Sequence, residues 1–329
     1  MDLSSMQERL KGVAVAQMTP FADDGSLDLD GMRLNTRWLI QHATGEPVIL
    51  CPLGSVGEFY AMTDDECRSV IRLVVEESAG RLLVLPGTGR AGTAETIRMC
   101  QYAQSVGANG ALVILPYYLV PEEEGMYLHF KHVAESVDSD FGIVVYNNPT
   151  VSGSWIRPAL MQRLSKIPNI VAVKEGTPWT RSFYAMQRAV SREGLRVFCG
   201  IGEFEYGVDA LYCECPGFFS NIANFAPQIS LAVYNAVSCR DFDSAARVIA
   251  VLDIYAEFLE EVKAKHAPHA GTASASTISA SLGFILVGLA KAAMDILGLR
   301  GGSVRLPLTN LHPDEKRRLR AVLEAMNLV

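Results

Sequence analysis

The feature that most constrains this chain is a rhythm. Eight short apolar runs recur about 20 to 35 residues apart: Gly12–Met18, Pro47–Cys51, Leu82–Pro86, Ala111–Pro116, Phe141–Tyr146, Ile170–Lys174, Arg196–Gly200 and Gly217–Asn221. None shows the alternation of a half-buried strand, so each predicts a strand covered on both faces. Strands of that kind, alternating with helices, require a parallel sheet. Every gap but the last has room for an amphipathic helix. Thr63–Ala79 opens with Thr63 and Glu66 at capping-box spacing and places Val70, Ile71, Val74 and Val75 on one face. Thr93–Val106 puts Ile97, Cys100 and Ala103 at helical spacing and stops before Gly107. Eight such units predict an α/β fold of the closed (β/α)8 TIM-barrel type. No GxGxxG follows the first strand, which weighs against a dinucleotide-binding sheet.

At about 150 residues per domain, 329 residues suggest two domains. The rhythm resolves them differently. The eighth repeat closes near residue 240, so residues 1–240 form a barrel carrying the active site. Residues 241–329 form a C-terminal helical appendage with helical patterns at about 241–264, 278–298 and 313–328. The small-residue segment 266–281 reads as a loop or helix start.

Composition excludes several classes. The net charge of −7, with no cluster of Lys and Arg, argues against a nucleic-acid binder. The stretch Met1–Lys11 carries charges and lacks a long apolar core, unlike a signal peptide. The most apolar stretch, Ile278–Ala290, has about 13 residues where a membrane span needs roughly 20, so it predicts a buried helix. Seven cysteines without a CxxC read as reduced thiols of a soluble cytoplasmic enzyme. His266 and His269 have HxxH spacing but no third ligand, so no metal site is expected. Glu122, Glu123 and Glu124 suit a helix start, with His129 and His132 in the helix that follows.

In such a barrel, side chains at the carboxyl ends of strands face the active site. Strand six ends in Lys174, an amine at the tip of an apolar segment; a neutral amine can attack a carbonyl carbon. A structural alternative is a strand-end lysine paired with Glu175. Strand five ends in Tyr146, which adjacency of strands five and six places beside Lys174, where a phenol can carry protons. Strand two runs into Gly54-Ser55-Val56-Gly57-Glu58, whose glycines let backbone N–H groups turn inward as an anion nest.

Together these residues resemble the dihydrodipicolinate synthase / N-acetylneuraminate lyase family of class I, Schiff-base lyases. The resemblance covers nearly the whole chain. It takes in Thr19-Pro20-Phe21, the GSVGE loop, Pro116-Tyr117-Tyr118, Tyr146-Asn147-Asn148-Pro149, Val171-Ala172-Val173-Lys174-Glu175 and Gly302-Ser303-Val304-Arg305-Leu306-Pro307-Leu308. It implies that Lys174 forms an imine with a 2-keto acid such as pyruvate, with no cofactor. Tyr146 would transfer protons, and Ser55 would bridge it to Tyr118 reaching in from a neighbouring subunit. Amides of residues 55 and 56, in the Gly54–Gly57 turn, would hold the keto-acid carboxylate. A homo-oligomer, tetramer or dimer, is implied with it.

Departures from the family pattern bear on the substrate. Dihydrodipicolinate synthases usually read YNxPxRTG, with the Arg on the carboxylate of the semialdehyde. Here Val151 stands at that position and cannot make the bidentate contact. Aliphatic residues there resemble the lyases of 2-keto-3-deoxy sugar acids, and Glu203 falls where those place a hydroxyl-binding acid. The Gly57-Glu58-Phe59-Tyr60 and Pro121–Gly125 segments are similar to 5-dehydro-4-deoxyglucarate dehydratases. Val56 stands where most members have Thr, and with Phe59, Tyr60 and Trp179 near the mouth a hydratase-aldolase substrate of lower polarity is a further expectation. A non-catalytic keto-acid binder fits least, since a sensor needs no proton relay.

Overall fold

A computed structural model of the chain describes residues 1–190, 194–266 and 275–329, and the side chains of all these except 275–284. Its eight parallel strands are β1 (Gly12–Ala16), β2 (Val48–Cys51), β3 (Leu83–Val84), β4 (Gly110–Ile114), β5 (Gly142–Asn147), β6 (Ile170–Glu175), β7 (Arg196–Cys199) and β8 (Gly217–Ser220). Hydrogen bonding runs β3-β2-β1-β8-β7-β6-β5-β4. Just past β3, Leu112 N donates to Pro86 O (2.9 Å) and Thr88 N to Leu112 O (3.1 Å), which joins β3 to β4 and closes the ring. The expected (β/α)8 TIM barrel is the observed fold. All strands but β7 are buried along their whole length, as apolar runs without alternation require.

The capping box of Thr63 and Glu66 starts the helix Asp64–Ser78 as predicted. One gap differs from expectation: between β7 and β8 the chain forms the helix Glu203–Tyr212. Its ten residues are enough to bury Tyr206 and Ala210 against the barrel, although the gap is the shortest of the set. The amino-terminal end of the barrel is pinched by glycines. A Cβ on Gly217 would lie 1.9 Å from Gly12 O, and Gly12 itself has φ +97°. Only residues without a side chain let β1 and β8 approach so closely.

The C-terminal helices Phe242–Ile249, Asp253–His266, Ala275–Ile296 and Pro313–Ala325 follow. Tyr255, Phe258, Leu289, Ala290, Leu319 and Leu323 form a second buried cluster with Met18 and Phe225, which follow β1 and β8. The appendage therefore packs against the carboxyl end of the barrel, where strand-end chemistry sits. Polar stitches reinforce the contact. The ammonium of Lys291 donates to Glu58 Oε1 and to Ser303 O (2.9 Å), and Arg305 N donates to Glu58 Oε2 (2.8 Å). The Arg305 guanidinium grips Glu66 through two hydrogen bonds (2.9 and 2.5 Å) and lies 4.1 Å from the centroid of Phe21.

Segment 267–274, half of the small-residue stretch, and His269 with it, lie outside the described residues. His266 bonds to Glu315 Oε1 (2.7 Å), and no group of metal-ligating side chains occurs among the described residues. No described helix is long and apolar enough to cross a membrane.

Candidate active site

Parallel register pairs Tyr146 of β5 with Lys174 of β6. Strand alternation points both side chains into the barrel mouth, while Glu175, one residue on, points the other way. Its carboxyl accepts from Asn147 Nδ2 (2.8 Å) and Thr177 N (3.0 Å), so it locks the loops after β5 and β6 and makes no ion pair with Lys174. Lys174 is 5% exposed. Its Nζ sits 3.9 Å from the ring centroid of Tyr146 and 4.3 Å from that of Phe219 on β8, two cation–π contacts.

The Tyr146 phenol is equally enclosed. Burial alone would push its pKa up. The positive charge of Lys174, the hydrogen bond from Asn148 and the nearby polar groups of Ser55 and Lys174 together outweigh burial, so the phenol lies below its ordinary value of 10.0. Asn148 Nδ2 donates to Tyr146 OH (2.9 Å), and its own carbonyl is fixed by Thr150 N (3.1 Å) and Thr150 Oγ1 (2.6 Å). Asn148 thus orients the phenol from behind, a role the sequence did not reveal. Its position heading the helix Pro149–Ser152, where Asn is a preferred cap, was the available signal.

The loop after β2 supplies the third wall. Leu53 (φ 61°) and Glu58 (φ 56°), two non-glycine residues in the left-handed region, bracket it. Each such residue costs of order 1–3 kcal/mol, so the surroundings must hold it there. Gly57 N and Glu58 N close the turn onto Gly54 O (2.9 Å) and Ser55 O (3.2 Å). Ser55 N and Val56 N head the turn, where a helix leaves its amides unsatisfied. Ser55 Oγ is buried and outside ideal hydrogen-bond geometry with the described groups, yet near enough to Tyr146 to draw its pKa down.

These walls enclose a cavity of about 270 Å³. Lys174, Tyr146, Ser55, Val56, Gly54 and Val151 all line it, together with Asn148, Thr150, Asn221 and Phe219. Cys51 forms part of the floor; burial pushes its thiol up to about 12, with Lys174 pulling the other way, so it stays protonated. The appendage contributes Lys263, Leu286 and Val287, which the sequence did not place here.

Six expected contributors lie elsewhere. Gly57 turns away from the cavity and accepts from Thr19 Oγ1 (2.8 Å). Glu203 begins the helix after β7, and that swings its carboxyl behind the barrel. There it accepts from Ser220 Oγ (2.5 Å) and Ser230 Oγ (2.6 Å), and burial pushes its pKa up. Tyr118 is 82% exposed on the single chain and outside the cavity. The aromatic mouth is also absent: Phe59 is buried edge-on to Tyr117, while Tyr60 and Trp179 are exposed, and none lines the cavity.

An amine and a polarised phenol thus face one small cavity at the carboxyl end of a closed (β/α)8 barrel. The chain belongs to the dihydrodipicolinate synthetase family, whose model matches residues 9–268. It is 33% identical over 318 residues to the 4-hydroxy-tetrahydrodipicolinate synthase of Methanothrix thermoacetophila, covering 96% of this chain and 97% of that protein. It is 36% identical over 244 residues to the enzyme of the same name from Methylococcus capsulatus, covering 73% and 79%. Among solved structures it is similar to YagE, a prophage protein of the same family from E. coli K12 in complex with pyruvate. That match has TM-score 0.83 and 27% identity and covers 97% and 99% of the two chains. The chloride-inhibited dihydrodipicolinate synthase of Acinetobacter baumannii complexed with pyruvate matches with TM-score 0.80 and 26% identity over 97% and 100%.

Proposed function

We propose that this protein is a Schiff-base lyase in which Lys174 forms an imine with the C2 carbon of a 2-keto acid such as pyruvate. The observation that carries the reading is the buried pair of Lys174 and Tyr146, register partners in one cavity, with the phenol pKa held low. Lys174 Nζ attacks the ketone carbon and Tyr146 relays the protons as water leaves. The protonated imine then draws in the electrons of a neighbouring C–C or C–H bond, so the chemistry calls for no metal or cofactor. The Ser55 and Val56 amides suit the keto-acid carboxylate. Tyr118 completes a hydroxyl relay only if a second copy of the chain brings it in, hence a homo-oligomer.

The leading substrate class is a 2-keto-3-deoxy sugar acid, cleaved to or condensed from pyruvate, with dehydration of such an acid the same-imine alternative. Val151, on the cavity wall where a semialdehyde-binding Arg would stand, supports it. The names of the relatives favour a second reading, condensation of pyruvate with an amino-acid semialdehyde. Borohydride trapping with pyruvate should place one adduct on Lys174 by mass spectrometry; an adduct on another lysine, or none, refutes the mechanism. Release of pyruvate from sugar acids then supports the first reading, and efficient turnover of aspartate semialdehyde the second. On the first reading, Val151→Arg should raise activity toward the semialdehyde.

A further inference from the structure

The charged residues lining the cavity are both cations. Lys174 is one; the other is Lys263, on the helix Asp253–His266 of the appendage, and no Asp or Glu lines the cavity among the described residues. In a chain of net charge −7 that local reversal of sign is a selective feature. Lys174 is consumed by the imine, which leaves Lys263 to act on whatever extends away from the reacting carbon.

We propose that Lys263 binds a carboxylate at the far end of the substrate, so that the cavity prefers 2-keto acids carrying a second anionic group. This rests on Lys174 being the imine-forming lysine. The side chain of Lys263 is only 15% exposed, and it donates to Glu260 Oε1 at 2.6 Å. That partner is 67% exposed and lies three residues away on the same helix. An ion pair so open to water holds its lysine weakly. An ammonium also has three donors, and one bond to Glu260 leaves two for a ligand. Because Val151 supplies no charge on the β5 side, a distal carboxylate has its counter-ion on the appendage side instead. Asn221 and Thr150 also line the cavity and offer polar atoms to hydroxyls of the substrate.

The test compares 2-keto acids matched in length and differing only at the distal end. Lys174 is trapped with borohydride across a concentration series of 2-oxoglutarate or 2-oxoadipate, each against its uncharged counterpart, 2-oxopentanoate or 2-oxohexanoate. The native protein should be half-labelled by one or both diacids at a concentration at least about tenfold lower than by the matching monoacid, the scale of one charged hydrogen bond. In Lys263→Met that ratio should collapse toward one, and in Lys263→Arg it should survive. A native ratio near one, or a ratio unchanged in Lys263→Met, overturns the proposal. Failure of pyruvate itself to label Lys174 in the native protein refutes instead the imine reading on which it rests.

Discussion

The end of β6 and the last third of the helix Ala275–Ile296 each bury a lysine almost completely, and the two are treated in opposite ways. Lys291, 1% exposed, has a carboxylate: Glu58 neutralises it, Ser303 O accepts a second bond, and Phe21 lies beneath. Burial pushes the pKa of Lys291 down and Glu58 pulls it back. Lys174 has no carboxylate partner among the described ion pairs and faces two aromatic rings, one ending in a polarised phenol. An ammonium locked to a counter-ion is a structural tie. One left beside a polarised phenol and open cavity space has no such tie.

Removing each partner breaks or sharpens that contrast. The largest effect should come from Tyr146→Phe, with turnover falling about 10²- to 10⁴-fold, the usual contribution of a positioned acid–base group. Thermal melting should show little loss of stability; a variant that turns over normally would erase the distinction. Next, Lys291→Met should destabilise the fold by about 3–5 kcal/mol in urea denaturation, because Glu58 would remain buried without its counter-ion. Adding Glu58→Gln should recover much of that loss; if the single variant melts like the native protein, the tie is not structural. The smallest effect concerns Arg305, an exposed-edge version of the same tie. Its guanidinium holds Glu66 at about 2, below the usual 4.5. A depressed carboxylate stabilises the fold above about pH 4.5 and loses that contribution as pH falls toward 2. The difference in melting temperature between native and Arg305→Met should therefore be greatest above pH 4.5 and shrink below it.

The strand rhythm and the Lys174–Tyr146 pair were legible because both rest on local rules. A doubly covered parallel strand advertises itself in its own residues, and adjacent strands bring their tips together without further information. What escaped lies across long separations or turns on rotation of a helix start. Asn35 bonding Arg300, Glu58 bonding Lys291 and Lys263 reaching the cavity all depend on where the appendage docks. Glu203 escaped for a smaller reason: the resemblance gave it a substrate-facing place after β7, but here the helix begins at that residue and its carboxyl turns to Ser220 and Ser230.

The tie between Glu58 and Lys291 also sets an order of events during synthesis. The two residues are 233 positions apart. At roughly 5–20 residues per second, the ribosome emits the lysine about 10–50 s after the loop it clamps. Until then the turn bracketed by Leu53 and Glu58 lacks the contacts that hold Glu58 in its left-handed conformation. The turn from Leu53 to Glu58 is thus encoded in the first fifth of the chain and matures only with its last helices. A nascent or truncated barrel would have Lys174 and Tyr146 in place while this turn still waits for the lysine that clamps it.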